Sequence, residues 1–159
     1  MSEPELNEDF HDFLVALIEA HVRFVVVGAH ALAAHGIPRA TGDLDILVEP
    51  TVANAHAVVE ALLRFGAPVL AHSVTEDDFA KPGTVYQMGL PPRRIDILTS
   101  ISGLGFESVW QGRLMTEVKG LSLAFIGRVE LIENKRASAR PKDLVDVAAL
   151  ESRTLPPPR

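Results

Sequence analysis

Between residues 24 and 50 the chain changes its periodicity twice, and this limits what it can fold into. The run Phe24-Val25-Val26-Val27 is short, apolar and β-branched, the signature of a buried strand, and Gly28 ends it. The Ala- and Leu-rich residues 29–35 then read as a short helix. Gly36 closes it, and Pro38 follows where a helix cannot continue. From Asp43 to Glu49 polar and apolar residues alternate, which is the period of a second strand. A strand, a short helix and a strand in so few residues predict a sheet covered by helices.

The remaining segments extend that pattern. Residues 7–21 place Phe10, Phe13, Leu14, Leu17 and Ile18 at helical spacing, with Asn7 or Glu8 as the opening residue. Residues 52–65 read as a helix with Gly66 just past its end. Residues 67–79 carry only a weak signal. Residues 84–88 and 94–98 read as strands joined by a turn containing Gly89, Pro91 and Pro92. A helical turn is expected over 108–111, and a hairpin of 114–118 with 121–125 across Lys119-Gly120. Two closing helices, 129–139 and 142–151, are separated near Pro141. The order is mixed, so the expected class is α/β (α+β), a mixed sheet flanked by helices. The expected organisation is one domain over 1–153 and a frayed, proline-rich tail over 154–159.

Composition narrows the function classes. Apolar residues make up 47% of the 159, enough to fill one core, and the net charge of −6 argues against sequence-blind binding to a phosphate backbone. With no cysteine, disulfides and thiolate zinc sites are excluded. The acidic residues 1–9 lack the layout of a signal peptide, and no apolar run nears the roughly 20 residues that span a bilayer. A cytoplasmic location with no membrane partner is the expectation. None of the six histidines falls into a zinc-binding spacing.

The chemistry lies in Asp43-Leu44-Asp45. Residues two apart on a strand share a face, so Asp43 and Asp45 point together while Leu44, Ile46 and Val48 point into a core. Two carboxylates at a separation of ~4 Å repel by about 4 kcal/mol at an effective dielectric near 20. A hard divalent cation, a basic partner, a proton or water must offset that, and Mg²⁺ prefers such oxygen ligands. A third acid, Asp96, sits in the apolar run Arg94-Ile95-Asp96-Ile97-Leu98. If the two strands are neighbours, three carboxylates converge, two able to hold metal and the third able also to take a proton from an attacking hydroxyl. Asp96 has a second reading, as a salt-bridge partner of Arg93 or Arg94. Arg39 likewise reads either as a partner of Asp43 or as a phosphate contact. Asp43 and Asp45 alone also fit a solvated strand edge or a helix-capping group.

The turn Gly28-Ala29, followed by His35-Gly36-Ile37-Pro38-Arg39-Ala40-Thr41-Gly42-Asp43-Leu44-Asp45, resembles the nucleotidyltransferase superfamily of polymerase-beta-type topology. Within it the chain is most similar to the minimal nucleotidyltransferases related to the bacterial AbiEii toxins. Glu133-Asn134-Lys135-Arg136-Ala137 and Arg140-Pro141-Lys142-Asp143-Leu144-Val145-Asp146 also resemble that subgroup. The resemblance spans roughly residues 24–150.

What the resemblance implies is a nucleotidyltransferase fold that moves a nucleoside monophosphate from a nucleoside triphosphate to an acceptor hydroxyl on a protein, a tRNA or a small molecule. Asp43, Asp45 and Asp96 are the implied ligands of Mg²⁺ (or Mn²⁺). Gly28, Ala29 and His30 form the implied triphosphate turn, with Arg39, Thr41, Lys142 and Asp143 as further nucleotide-site residues. Lys135 is the implied cation facing the leaving pyrophosphate, and Asp143 is implied to orient Lys135 or a basic neighbour. By composition alone Lys135 reads as a solvated helix face, and Asp143 as a residue that opens the last helix. Ala29 departs from the family's Gly-Gly or Gly-Ser turn and removes a hydroxyl. The implied role is toxin-antitoxin related; the alternative is an inactive interaction module such as an antitoxin or accessory subunit acting through a protein partner.

Overall fold

The computed structural model describes residues 6–37, 39 and 43–152. In chain order the elements are α1 (Glu8–Glu19), β1 (Phe24–Val27), α2 (Gly28–Ala34), β2 (Asp43–Val48), α3 (Val52–Phe65), α4 (Glu76–Phe79), β3 (Val85–Met88), β4 (Arg94–Leu98), α5 (Phe106–Gln111), β5 (Leu114–Val118), β6 (Leu121–Phe125), α6 (Arg128–Ser138) and α7 (Pro141–Ser152). The mixed sheet with flanking helices that the periodicity predicts is what the chain forms. The expected Pro-rich tail over 154–159 lies outside the described residues, and Thr41 does too.

The six strands lie in the order β3-β4-β2-β1-β6-β5. The pairs β1–β2, β3–β4 and β5–β6 are antiparallel, and β1–β6 and β2–β4 are parallel. One row of register partners, Val26, Ile46, Ile97 and Tyr86, crosses four strands and is buried throughout. Burying each large apolar side chain of such a row stabilises the fold by about 1.5–3 kcal/mol. Because strand side chains alternate, the next row faces the other side. That row is Val27, Asp45, Asp96 and Gln87. The hydrophobic pattern that sets the core therefore also sets the direction of both acids.

Helices form where the local signals place them. The Asn7 side chain caps α1 by accepting from the Phe10 N–H at 2.9 Å, and Phe10, Phe13, Leu14 and Leu17 turn inward. Thr51 caps α3, and Gly66 ends it in the left-handed conformation at φ 91°. α7 starts at Pro141, a first-turn position where a missing N–H costs nothing. The weakly signalled region before β3 contains the one-turn α4, held by a Thr75–Asp78 capping box. Buried Asn54 pins the end of the sheet away from the acids. Its amide accepts from the Arg23 N–H at 2.8 Å and donates to the carbonyls of Arg23 at 3.0 Å and Glu49 at 2.9 Å. Trp110 serves as a packing anchor, stacked on Phe106 with the guanidiniums of Arg23 and Arg113 over its ring. Among the described residues no helix is long and apolar enough to cross a membrane.

Candidate functional site

β2 and β4 are adjacent and parallel, with Asp43 opposite Arg94 and Asp45 opposite Asp96. Register partners project from the same face, so Asp43, Asp45 and Asp96 share one side of the sheet. The adjacency of the two strands meets the condition under which the sequence brings the three acids to one face. As register partners, Asp45 and Asp96 hold their carboxyls side by side on this face. Burial, the charge of Asp96 and the charge of Asp43 together push Asp45 up to about 7, against a smaller opposing pull from Arg94. Gln87 on β3 completes the row, its amide 3.5 Å from Asp96 Oδ2.

Arg94 occupies the centre of this face. Its Nη2 donates to Asp43 Oδ2 at 2.7 Å and to Asp96 Oδ2 at 3.2 Å, and its Nε donates to Asp96 Oδ1 at 3.1 Å. The salt-bridge reading of Asp96 thus holds in this state, with Arg94 as the partner. Among the described residues no three acidic or histidine side chains stand ready to ligate a metal ion. The donor set nevertheless fits a hard divalent cation: the carboxylate oxygens of Asp43, Asp45 and Asp96 lie on one face of the sheet.

The first glycine turn lies directly against these acids. Gly28 has φ +71°, and a Cβ built there would overlap Asp45 Oδ2 and stand 3.0 Å from Asp45 Cγ. Only glycine lets the backbone pass so close. Ala29 follows in α2, half-buried. The His30 side chain is buried, packs edge-on to Phe10 at 5.5 Å, and has no partner for Nε2 among the described residues. Burial lowers its pKa against a smaller opposing effect of Asp43, so the ring is kept neutral. His35 closes α2 by donating from Nε2 to the Ile126 carbonyl at 2.8 Å, which ties the turn to the end of β6.

A second cluster lies between α6 and α7. Lys135 is 11% exposed, not solvated as its composition alone would suggest, and its Nζ is 3.4 Å from Asp143 Oδ1 and 3.0 Å from Asp146 Oδ2. Burial lowers its pKa, and Asp143 opposes that. Asp143 also receives the Arg140 guanidinium at 2.7 Å. Burial alone would raise the Asp143 pKa, but Arg140 and Lys135 together hold it below the usual carboxylate range. Arg39, just ahead of β2, forms an ion pair with Asp146. Arg39 thereby joins the lysine cluster. Lys142 stays exposed at the start of α7.

Asp146 and Arg140 are the members that the sequence reading does not select. The signal for Asp146 is its spacing: Asp143 and Asp146 are three apart on α7 and so share a helical face. Nothing local marks Arg39 as its partner. A cavity of about 340 Å³ lined by Arg128, Val129, Ile132, Glu133, Arg136 and Glu151 includes none of the acidic row. No family model matches the chain, and no curated protein matches it.

Proposed function

We propose that this chain is a metal-dependent nucleotidyltransferase of the polymerase-beta-type superfamily, related to the AbiEii group, moving a nucleoside monophosphate from a nucleoside triphosphate to an acceptor hydroxyl. The observation that carries the reading is the meeting of Asp45 and Asp96 across parallel strands, with Asp43 on the same face and Gly28 against Asp45. A repulsive acidic row built into the sheet beside a glycine turn is suited to a cation carrying phosphates.

In this reading Asp43, Asp45 and Asp96 hold Mg²⁺ or Mn²⁺, which when bound neutralises the triphosphate and favours ionisation of the attacking hydroxyl. The backbone at Gly28, Ala29 and His30 contacts phosphate oxygens. Asp96 accepts the proton of the acceptor hydroxyl as its oxygen bonds to the α-phosphorus and the bond to pyrophosphate breaks. Lys135, Arg140 and Arg39 outnumber Asp143 and Asp146 by one charge, so the second cluster is net cationic and favours the leaving pyrophosphate. Lys135 has three donors and two carboxylate partners, which leaves one N–H for a phosphate oxygen. The acceptor hydroxyl belongs to a protein, a tRNA or a small molecule. The resemblance suggests a toxin-antitoxin role, and the absence of cysteine fits a reducing, cytoplasmic setting.

The test is calorimetry with Mg²⁺ and each nucleoside triphosphate on the wild type and on Asp45→Asn. The wild type should bind at least one triphosphate in a metal-dependent manner, and Asp45→Asn should lose that dependence. Failure of the wild type to bind any of them overturns the reading.

One observation favours a second reading, a catalytically inactive interaction module acting through a protein partner. Arg94 already satisfies two of the three acids, so the face can exist as a stable ion-pair network.

A further inference from the structure

We infer that Arg94 is a built-in counter-cation of the acidic face, and that a divalent cation binds there only by displacing its guanidinium. This rests on the metal-centre reading above and adds a positioning residue to it. The fork of Arg94 engages both oxygens of Asp96 and one oxygen of Asp43. Three of the four oxygens of Asp43 and Asp96 thus accept from the guanidinium at 2.7–3.2 Å, and its positive charge among them repels a cation approaching the same oxygens. Asp45 lies beside Asp96 as its register partner.

The placement follows from the register. Arg94 lies opposite Asp43 and two residues before Asp96, so all three project from one face of the β2–β4 pair. The Arg94 side chain is 31% exposed, so its head can leave toward water without unpacking the core. Nothing in the apolar row Val26, Ile46, Ile97 and Tyr86 has to move.

The consequence is conditional metal binding. A bare cation gains the acids but leaves a displaced guanidinium with only water as partner. A cation that arrives with a polyphosphate brings anionic oxygens for that guanidinium to pair with. Arg94 therefore disfavours the metal alone relative to the metal–triphosphate complex.

Calorimetry with Mn²⁺ alone on the wild type, Arg94→Met and Arg94→Lys tests this. Arg94→Met should bind Mn²⁺ at least roughly tenfold more tightly than the wild type, with Arg94→Lys in between, because a lysine keeps the charge but loses the fork. Thermal unfolding gives a second readout: Arg94→Met should melt earlier in chelator and gain more from Mn²⁺ than the wild type does. If Arg94→Met does not fold, tighter Mn²⁺ binding by Arg94→Lys than by the wild type supports the inference, and equal binding overturns it. Equal or weaker Mn²⁺ binding by Arg94→Met overturns the inference and leaves the metal centre standing. Absence of Mn²⁺ binding in all three proteins overturns both.

Discussion

Asp45 and Asp96 are register partners in the parallel pair β2–β4, so their carboxyls stand side by side on one face of the sheet. Two acids in that relation cannot both be ionised without cost, so the pair couples proton binding to the stability of the sheet.

The first prediction concerns pH. Asp45 ionises at 3.8 in its ordinary state and is pushed up to about 7 in the fold, chiefly by burial and by Asp96. Between those values the folded protein binds a proton that the unfolded chain has released. Stability therefore falls as pH rises through this window. In chelator-containing buffer the melting temperature should be higher at pH 5 than at pH 7.5, and Asp45→Asn should reduce the difference. Asp143, held low by Arg140 and Lys135, works in the opposite sense, with its contribution lost only at pH values below the ordinary carboxylate range. Identical pH profiles for the wild type and Asp45→Asn would contradict the assignment.

Gly28→Ala should cost more than an ordinary left-handed glycine replacement. Gly66 provides the comparison, since it also has positive φ, but a Cβ there meets nothing within 4 Å. Gly66→Ala should lose about 1 kcal/mol from backbone strain alone. Gly28→Ala adds a collision with Asp45 and should lose at least about 2 kcal/mol, together with triphosphate binding. Urea denaturation of both variants decides this, and equal losses would remove the claimed contact.

Lys135→Met should destabilise the protein by about 3 kcal/mol, because it leaves two buried aspartates short of a partner. Asp143 is 0% and Asp146 3% exposed, so water replaces little of the lost interaction. Adding Asp143→Asn should recover part of the loss, with a coupling of roughly 1 kcal/mol or more in a double-mutant cycle. Strict additivity would mean that the lysine and the aspartate do not act together.

Ala29→Ser restores a hydroxyl to the turn beside Gly28. If that turn holds phosphate, triphosphate affinity measured by calorimetry should rise. An unchanged affinity favours the inactive-module reading, in which Arg94 permanently satisfies the acids.

Much of this architecture follows from local pattern. Alternation over Asp43–Val48 puts Asp43 and Asp45 on one face, while the caps at Asn7, Thr51 and Gly66 bound α1 and α3. These depend on neighbours two to four residues apart, which any stretch of sequence carries in itself. The one-turn α4 falls in a stretch with only a weak local signal, because one turn is too short to display a period.

Tertiary structure decided the rest. Placing β4 beside β2, and Asp96 opposite Asp45 and not one residue off, requires burying Ile46 against Ile97 and Val26, residues distant along the chain. The partners of Arg94 and Lys135 were settled in the same way. A charged side chain reads alike in sequence whether it ends in water or between two acids, and only the packing of α6 on α7, and of β4 on β2, removes the water that makes the two equivalent.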